Sequence, residues 1–440
     1  MTTRLLKGGS VLTMDDELPD LDRGDVLIDG ERIVAVGADL GSAADEVIDC
    51  TGRIVLPGLI DGHAHLWETA LRGIATESWA GEYERTVPAL AGRYRPEDMR
   101  AATYGGAIEL LANGVTTVLD ACHPVDSPAH ADASIDGLRA ARIRARFGFS
   151  FQDVAGDDDL GLRGLEPRIL EAQRLHGELG DNGLVSLAIA LNEVGRVDTA
   201  TSSAELRCAR ELGVIATIHS QGAWEISTFA ARGELGPDLH WIHATKAADE
   251  ELDLLARDGG AIASVIETEV GYQGLHPMTG RATRAGVPVT LGTSSAAMAS
   301  PDLLMQLRMA LQFQRKLDAQ VEHLQGRTSK RSRDFPSLTS RQILLFATAG
   351  AADALGLGDR IGRLTPGREA DILVLDTEPF GLCVNDPVTF VVQVADRRNI
   401  EGVYVAGRER VRDGRLVDVD ADRMRADLDD ARARIAPAVA

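Results

Sequence analysis

The sequence is poor in cysteine and in aromatic residues, and it contains no long apolar run. Its four cysteines are widely spaced without a CxxC pair, namely Cys50, Cys122, Cys208 and Cys383. This pattern argues against a disulfide framework and favours reduced thiols. No stretch approaches the roughly 20 apolar residues that cross a bilayer, and the first residues do not resemble a signal peptide. We therefore expect a cytoplasmic protein.

Positive charge is also scarce, because 46 Lys and Arg oppose 67 Asp and Glu, for a net charge of −21. Nucleic acids and anionic membranes bind clustered cations, so we exclude both as partners and expect a small-molecule substrate. One basic cluster lies between Gln314 and Asp334. We interpret it as a solvated helix end and loop, the alternatives being a flap near the active site or an oligomer contact. Its members are Arg315, Lys316, Arg327, Lys330, Arg331 and Arg333.

The 440 residues exceed the roughly 250–300 at which one core stops growing, so we expect a large and a small domain. Residues 1–55 and 365–420 contain strand-like runs, including a hairpin signal at Asp29-Gly30 and a run over residues 389–394. Residues 421–440 predict a terminal helix. We expect both chain ends to form one small β-sandwich domain.

Residues 56–364 alternate apolar strand-like runs with helix-like segments. Continuous apolar runs are typical of buried parallel strands, and eight of them predict an α/β fold, a (β/α)8 TIM barrel. The runs begin near Leu59, Gly114, Arg146, Leu184, Val214, His240, Gly260 and Val287.

Four histidines end three of these runs. His63 and His65 lie two residues apart, so they point to the same side of the first strand. His219 ends the fifth run and His243 ends the sixth, on the face where barrel enzymes place their active sites. Three imidazoles with an open position form a known catalytic metal arrangement.

With these motifs the chain resembles the amidohydrolase superfamily, in its cytosine-deaminase and triazine-hydrolase-like branch. The resemblance rests on Leu56-Pro-Gly-Leu-Ile-Asp-Gly-His-Ala-His65, on Gly114-Val-Thr-Thr-Val118 and on Ile361–Leu375, and it covers nearly the whole chain. It implies that His63, His65 and His219 bind one divalent metal, zinc or iron. It implies that His243 contacts the substrate or the activated water. Such proteins are often homo-oligomers.

The sequence departs from this family at both proton-transfer positions. Ser294 stands where the family has a catalytic Asp after strand eight, and a serine hydroxyl cannot take a proton from water near neutral pH. Gly222 stands where related members carry a Glu three residues after the strand-five histidine, and the neighbouring Gln221 is neutral. A metal is therefore expected if the reaction is a hydrolysis, whereas non-hydrolytic chemistry could proceed without one. The sequence also leaves open whether Ser294 is an engineered substitution.

Several other side chains are candidates for the pocket. Glu267 and Glu269 follow strand seven and alternate, so one of them could face the pocket as a catalytic carboxylate. Glu68, Glu193, Gln221 and His123 are candidate substrate contacts, and His276 is a weaker one. Trp67 and Trp224 could stack on a planar ligand. Asp302 instead belongs to a helix start, with Ser300 as the N-cap residue.

Three hypotheses follow. The first is metal-dependent hydrolysis of a C–N or C–Cl bond on a small heterocycle. The second is non-hydrolytic chemistry such as cyclisation, dehydration or elimination, in which the lost Asp and Glu are not needed. The third is a non-catalytic binding protein on an enzyme scaffold. Ammonia release from a heterocycle in the presence of metal distinguishes the first from the other two.

Overall fold

The computed structural model describes residues 2–41, 43–75, 80–153, 161–327, 338–377 and 384–436. Lys330, Arg331, Arg333 and Cys383 lie outside these described residues. Of the cysteines in the described residues, Cys50, Cys122 and Cys208 are buried and form no disulfide. None of the described helices has both the length and the apolar character needed to cross a membrane.

Seventeen strands occur in the described part of the chain. In chain order they are β1 (Thr3–Val11), β2 (Leu21–Asp29), β3 (Arg32–Gly37), β4 (Glu46–Asp49), β5 (Arg53–Pro57), β6 (Leu59–Ala64), β7 (Val115–Cys122), β8 (Arg144–Ser150), β9 (Val185–Ala190), β10 (Ala216–Ser220), β11 (Leu239–His243), β12 (Ala261–Ser264), β13 (Val289–Leu291), β14 (Ile372–Asp376), β15 (Ile400–Val405), β16 (Arg408–Arg412) and β17 (Arg415–Leu416).

Thirteen α-helices alternate with these strands or follow them in the described ranges. They are α1 (Ala80–Ala91), α2 (Pro96–Ala112), α3 (Pro128–Ala141), α4 (Leu165–Leu179), α5 (Thr199–Glu211), α6 (Glu225–Ala231), α7 (Asp249–Asp258), α8 (Thr279–Ala285), α9 (Leu303–Leu324), α10 (Ser340–Leu345), α11 (Ala349–Ala354), α12 (Pro387–Gln393) and α13 (Ala421–Ile435). The last of these lies within the segment for which a terminal helix was predicted.

Nine strands from the two chain ends form one mixed sheet, in the order β17-β16-β15-β14-β5-β1-β2-β3, with β4 paired to β1. The predicted hairpin is present, since β2 and β3 pair antiparallel with Asp29 opposite Arg32, and Gly30 adopts φ +57° at the turn. Val26, Ile28 and Ile372 are among the buried side chains that form its core. The predicted association of the two chain ends is therefore confirmed.

The other eight strands form the barrel sheet, in the strictly sequential order β6 to β13. Pairing is parallel between successive strands from β7 to β13. A parallel bridge between Ala64 and Ser294 joins the chain after the eighth strand to the first strand. Every residue of β6, β7, β9 and β11 is buried, as continuous apolar runs predict. The expected α/β barrel is confirmed.

One predicted strand is wrong, because residues 389–394 lie in and just after helix α12. Asp386 caps this helix by accepting hydrogen bonds from the backbone N–H groups of Val388 and Thr389, and Pro387 occupies its first position. An Asp-Pro start stabilises a helix strongly enough to override the β propensity of the Phe-Val-Val run.

The helix start at Asp302 needs a smaller correction. Helix α9 begins at Leu303, and the carboxylate of Asp302 accepts a hydrogen bond from the backbone N–H of Met305 at 3.1 Å. Asp302 is therefore the N-cap residue itself, in place of Ser300. Within the basic cluster, Arg315 donates to the side chain of Gln393 and Arg327 pairs with Glu322.

The chain packs into two compact units. One comprises Met1–Asp61, Leu110–Thr116 and Asp302–Asp418, and the other comprises Gly62–Glu109, Thr117–Pro301 and Val419–Ala440. All residues of the site described next belong to the second unit. The domain boundaries inferred from the sequence stay a prediction.

Candidate metal centre and active site

The first barrel strand places two histidines at the centre of the candidate site. The side chains of His63 and His65 are 0% and 3% exposed, and their ring centroids lie 4.5 Å apart. The eighth strand approaches closely because position 292 is glycine. A Cβ at Gly292 would lie 2.6 Å from the carbonyl oxygen of His63, which is closer than real side chains come.

His219, at the end of β10, completes a cluster of three imidazoles. Its ring centroid lies 4.9 Å from that of His63 and 5.3 Å from that of His65. One ring nitrogen of each histidine can be chosen so that all three lie within 4.8 Å of one another. The three ligands expected from the sequence therefore converge on one point.

The protonation of these rings suits a divalent metal. Burial lowers the pKa of His63, His65 and His219 well below the usual range, and neighbouring histidines lower it further. Nδ1 of His65 lies 2.8 Å from the carbonyl oxygen of Ala121, so that nitrogen carries the proton and Nε2 keeps its lone pair. Three neutral imidazoles form a donor set that fits zinc or a similar ion.

His243, at the end of β11, lies beside this cluster and forms a pair with a buried carboxylate. Its ring centroid is 5.9 Å from that of His219. Nδ1 of His243 lies 3.2 Å from Oε1 of Glu269, whose side chain is fully buried. Glu269 also accepts hydrogen bonds from the backbone N–H of Val265 and from the hydroxyl of Ser264. These bonds fix the carboxylate against the imidazole.

The two glutamates that follow strand seven thus differ in their surroundings. Glu269 lies in the short helical turn Thr268–Tyr272 and contacts His243. Oε2 of Glu267 instead accepts from the backbone N–H of Ser300 at 3.4 Å. The structure therefore favours Glu269 as the carboxylate of the site.

Ser294 lies at the expected position after the eighth strand. Its backbone N–H donates to the carbonyl of His63 at 2.9 Å, and its carbonyl accepts from the backbone N–H of His65 at 2.8 Å. The residue is 6% exposed and adopts φ +56°, a conformation that asparagine and aspartate adopt more readily than other side chains. Position 294 therefore lies next to the strand that carries His63 and His65, but its serine side chain is uncharged.

A cavity of about 330 Å³ opens beside the imidazoles. Among the predicted contacts, Trp67, His123, Glu193 and Gln221 line it, together with His65 and His219. The sequence analysis missed three lining residues of helix α1 and three from loops, none of which belongs to a motif. They are Tyr83, Val87 and Pro88 in the helix, and Gln152, Asp153 and Arg196 in the loops. The cavity therefore combines an aromatic and aliphatic wall with several charged groups.

His123 is a fifth imidazole of the site. It follows β7, and its ring centroid lies 4.8 Å from that of His65 and 5.5 Å from that of His219. Burial lowers its pKa to about 4, so the ring is neutral near pH 7. A neutral imidazole that lines the cavity can donate or accept a hydrogen bond with a ligand.

Three other predicted contacts lie elsewhere. Glu68 is fully buried behind the cavity wall, where it accepts hydrogen bonds from the hydroxyls of Tyr83, at 2.6 Å, and Ser295. Trp224 is 58% exposed. Neither Trp224 nor His276 is among the described residues that line this cavity. Glu68 therefore positions Tyr83 and is not itself a cavity contact.

Comparison with known proteins gives matches along nearly the whole chain. Residues 54–410 match the amidohydrolase family. The 5-methylthioadenosine/S-adenosylhomocysteine deaminase of Thermococcus kodakarensis is 28% identical over 429 residues, which are 92% of this chain and 93% of the relative. The 5′-deoxyadenosine deaminase of Methanosarcina mazei is 25% identical over 439 residues, 96% of each chain.

A solved structure shares the fold at similar coverage. The crystal structure of atrazine chlorohydrolase from Arthrobacter aurescens, complexed with zinc, superposes with a TM-score of 0.84 at 25% identity. The match covers 98% of this chain and 100% of that one. These comparisons confirm the resemblance seen in the sequence and the expected class of enzyme, a metal-dependent hydrolase, over the non-catalytic and non-hydrolytic hypotheses.

Proposed function

Because the chain belongs to the amidohydrolase family, we propose that it is a zinc-dependent deaminase of a nucleoside-sized amino-heterocycle. The observation that carries the proposal is the convergence of His63, His65 and His219 beside the cavity. Two relatives of matching length that are named as deaminases of adenine nucleosides support this substrate class.

His63, His65 and His219 would hold the metal. We favour zinc over iron because a related solved structure is a zinc complex and because three imidazoles suit zinc. When bound, the metal would supply Lewis-acid chemistry and lower the pKa of a water molecule to ~7. A metal with this effect reduces the need for a strong protein base, which fits the absence of a carboxylate at Ser294.

His243 and Glu269 would carry one of the two proton transfers that deamination needs. Because Glu269 faces Nδ1, that nitrogen holds the proton, and Nε2 of His243 is left as the acceptor. The pair would thereby replace the strand-eight carboxylate as general base. Ser294 would contribute only a hydroxyl that donates or accepts a hydrogen bond.

The cavity would select the substrate. Its volume lies near the lower end for small-molecule sites, which suits a heterocycle with one substituent of about the size of a sugar. Trp67 and His123 offer flat surfaces and hydrogen-bonding nitrogens to a ring. Glu193 and Gln221 offer acceptors for hydroxyl groups, and Asp153 adds a third.

The test combines metal analysis with an ammonia assay on protein without a histidine tag. We expect about one zinc per chain in the wild type and loss of zinc in the H63A/H65A variant. Zinc-loaded enzyme should release ammonia from 5′-methylthioadenosine, adenosine or cytosine, whereas chelated enzyme should not. Turnover of these compounds that does not depend on metal would contradict the proposal.

Chloride release from a chlorotriazine would redirect the proposal to C–Cl hydrolysis, the other bond type that the sequence analysis considered. Zinc-loaded protein that binds a heterocycle and releases neither ammonia nor chloride would revive non-hydrolytic chemistry. We propose a cytoplasmic location, supported by the three buried free thiols. A homo-oligomeric state stays a prediction.

A further inference from the structure

Glu225 is the first residue of helix α6, which follows strand five. The mechanism proposed above gives its carboxylate no role. Glu225 lies three residues beyond Gly222, the position at which the sequence lacks the expected Glu. Its side chain folds back over that glycine. A Cβ built on Gly222 would lie 2.5 Å from Oε1, 3.1 Å from Cδ and 3.3 Å from Cγ of Glu225. The carboxylate of Glu225 thus occupies the volume where a side chain at position 222 would begin.

The hydrogen bonding of this carboxylate leaves one oxygen unused. Oε1 accepts from the backbone N–H of Gly222 at 2.9 Å. Oε2 is buried, and no group in the described part of the chain meets hydrogen-bond geometry with it, although the hydroxyl of Ser220 lies near the carboxylate. A buried carboxylate oxygen without a partner costs free energy, so its retention calls for an explanation.

The backbone that turns Glu225 toward Gly222 is itself strained. Trp224 adopts φ +67° and ψ 17°, the left-handed conformation that bulky residues rarely adopt. The buried carboxylate of Glu251 holds this turn by accepting from the backbone N–H groups of Trp224 and Ser227 at 3.2 and 2.9 Å. Strain of this kind persists where the surrounding structure fixes it, commonly at functional sites.

The charge state of Glu225 suits a group that carries a proton. Burial raises its pKa, and the charge of Glu193 raises it further, against the lowering effect of the nearby Ser220 hydroxyl and of the backbone N–H groups of Gly222 and Gln221. Two residues close to Glu225 line the cavity, namely Glu193, whose charge acts on it, and Gln221, which lies four positions earlier in the chain. The carboxyl group therefore lies close to two residues that line the cavity.

We propose that Glu225 replaces the missing strand-five Glu as the second proton carrier of the reaction. The inference rests on the proposed deamination. One water adds its oxygen to the ring carbon, the carbon–nitrogen bond breaks, and ammonia leaves. Of the two water protons, one passes by way of His243 to the ring nitrogen. The other passes by way of the Glu225 carboxylate to the leaving amino group, and the carboxylate returns to its ionised form.

The decisive experiment compares zinc-loaded wild type with E225Q, with Glu250→Gln as the control, since Glu250 is an exposed residue of α7. We expect E225Q to keep its zinc and its melting temperature, to keep KM within about threefold, and to lose about 10²–10⁴-fold in kcat. The limb of the pH–rate profile that reports the carboxyl group should disappear. A purely structural role would lower the melting temperature and leave the profile unchanged.

A rescue variant keeps the test independent of one substitution. In G222E/E225A the carboxylate returns to the position that related enzymes use, and the space above residue 222 is free. We expect this double variant to regain at least tenfold in kcat over E225A. E225Q activity within threefold of wild type, or no rescue in G222E/E225A, would overturn the inference while deamination itself stands. Wild type that releases no ammonia would instead overturn the proposed function and this inference with it.

Discussion

Ser294 and His63 are joined through their main chains, with the N–H of Ser294 donating to the carbonyl of His63 at 2.9 Å. The same serine accepts from the N–H of His65 through its own carbonyl. The end of strand eight is thus fixed against the strand that carries two expected metal ligands. A side chain at position 294 is therefore held next to the candidate metal site by backbone bonds that do not depend on its identity.

Restoring the carboxylate at this position should strengthen metal binding. Aspartate tolerates the left-handed backbone of Ser294, so S294D should fold like the wild type. It would add a fourth, charged ligand to three imidazoles, and we expect zinc affinity to rise by at least about tenfold. Zinc titration against a competing chelator measures this. S294A is the matched control and should match the wild type. Equal affinities in all three proteins would show that position 294 does not face the metal.

The pair formed by His243 and Glu269 predicts a large effect from a nearly isosteric change. In E269Q the amide can donate a hydrogen bond to Nδ1, which would favour the wrong tautomer of His243. We expect kcat to fall by about 10²–10⁴-fold at unchanged zinc content, as for carboxylates that orient a catalytic histidine. Glu267→Gln is the control, because Glu267 bonds to the Ser300 backbone instead. A parallel loss in both variants would contradict this division of roles.

Acid should destabilise the protein through His240, a buried residue of β11 that is not part of the metal site. Burial lowers its pKa from 6.5 to about 4, and Nε2 lies 3.0 Å from the hydroxyl of Thr290. The unfolded chain therefore binds a proton at a higher pH than the folded chain. The stability associated with the neutral ring is complete above pH 6.5 and is lost as the pH falls toward 4, by about 3 kcal/mol in total.

Urea unfolding of the zinc-free protein at pH 7 and pH 5 tests this prediction. Other buried histidines contribute to the same decline, so the informative quantity is the difference between wild type and the His240→Gln variant. We expect the variant to lose less stability between the two pH values, by about 1–2 kcal/mol. Equal losses would show that His240 is accessible to protons in the folded state.

The barrel could be predicted from the sequence because most of its strands are buried apolar runs. The candidate metal histidines could be predicted because they end such runs. The strand predicted over residues 389–394 was wrong because the Asp386-Pro387 helix start overrides the β propensity of the run that follows it. The pairing of His243 with Glu269 was not predictable beyond a choice between two glutamates, since alternation along a loop does not determine which side chain turns inward.

Glu225 was missed for a related reason. Its position over Gly222 depends on the left-handed backbone of Trp224, and no residue type in the sequence signals that conformation. Side chains of the cavity such as Gln152, Asp153 and Arg196 come from separate loops, where neither periodicity nor a motif marks them. Strand ends are thus predictable from apolar patterns, whereas loop-borne groups require the tertiary structure.

The close approach of strand eight to strand one gives the last prediction, which concerns Gly292. A Cβ there would lie 2.6 Å from the carbonyl oxygen and 3.0 Å from the nitrogen of His63. Because the clashing atoms belong to the backbone, no side-chain rotation relieves the contact and the strands must separate. We expect G292A to lower the free energy of unfolding by roughly 1–3 kcal/mol and to weaken zinc binding.

Gly177, in helix α4, is the control, since a Cβ there meets nothing within 4 Å. G177A should stabilise the protein by about 0.5–1 kcal/mol and leave zinc content unchanged. If G292A binds zinc like the wild type, the position of His63 does not depend on this contact, and the glycine at 292 needs another explanation.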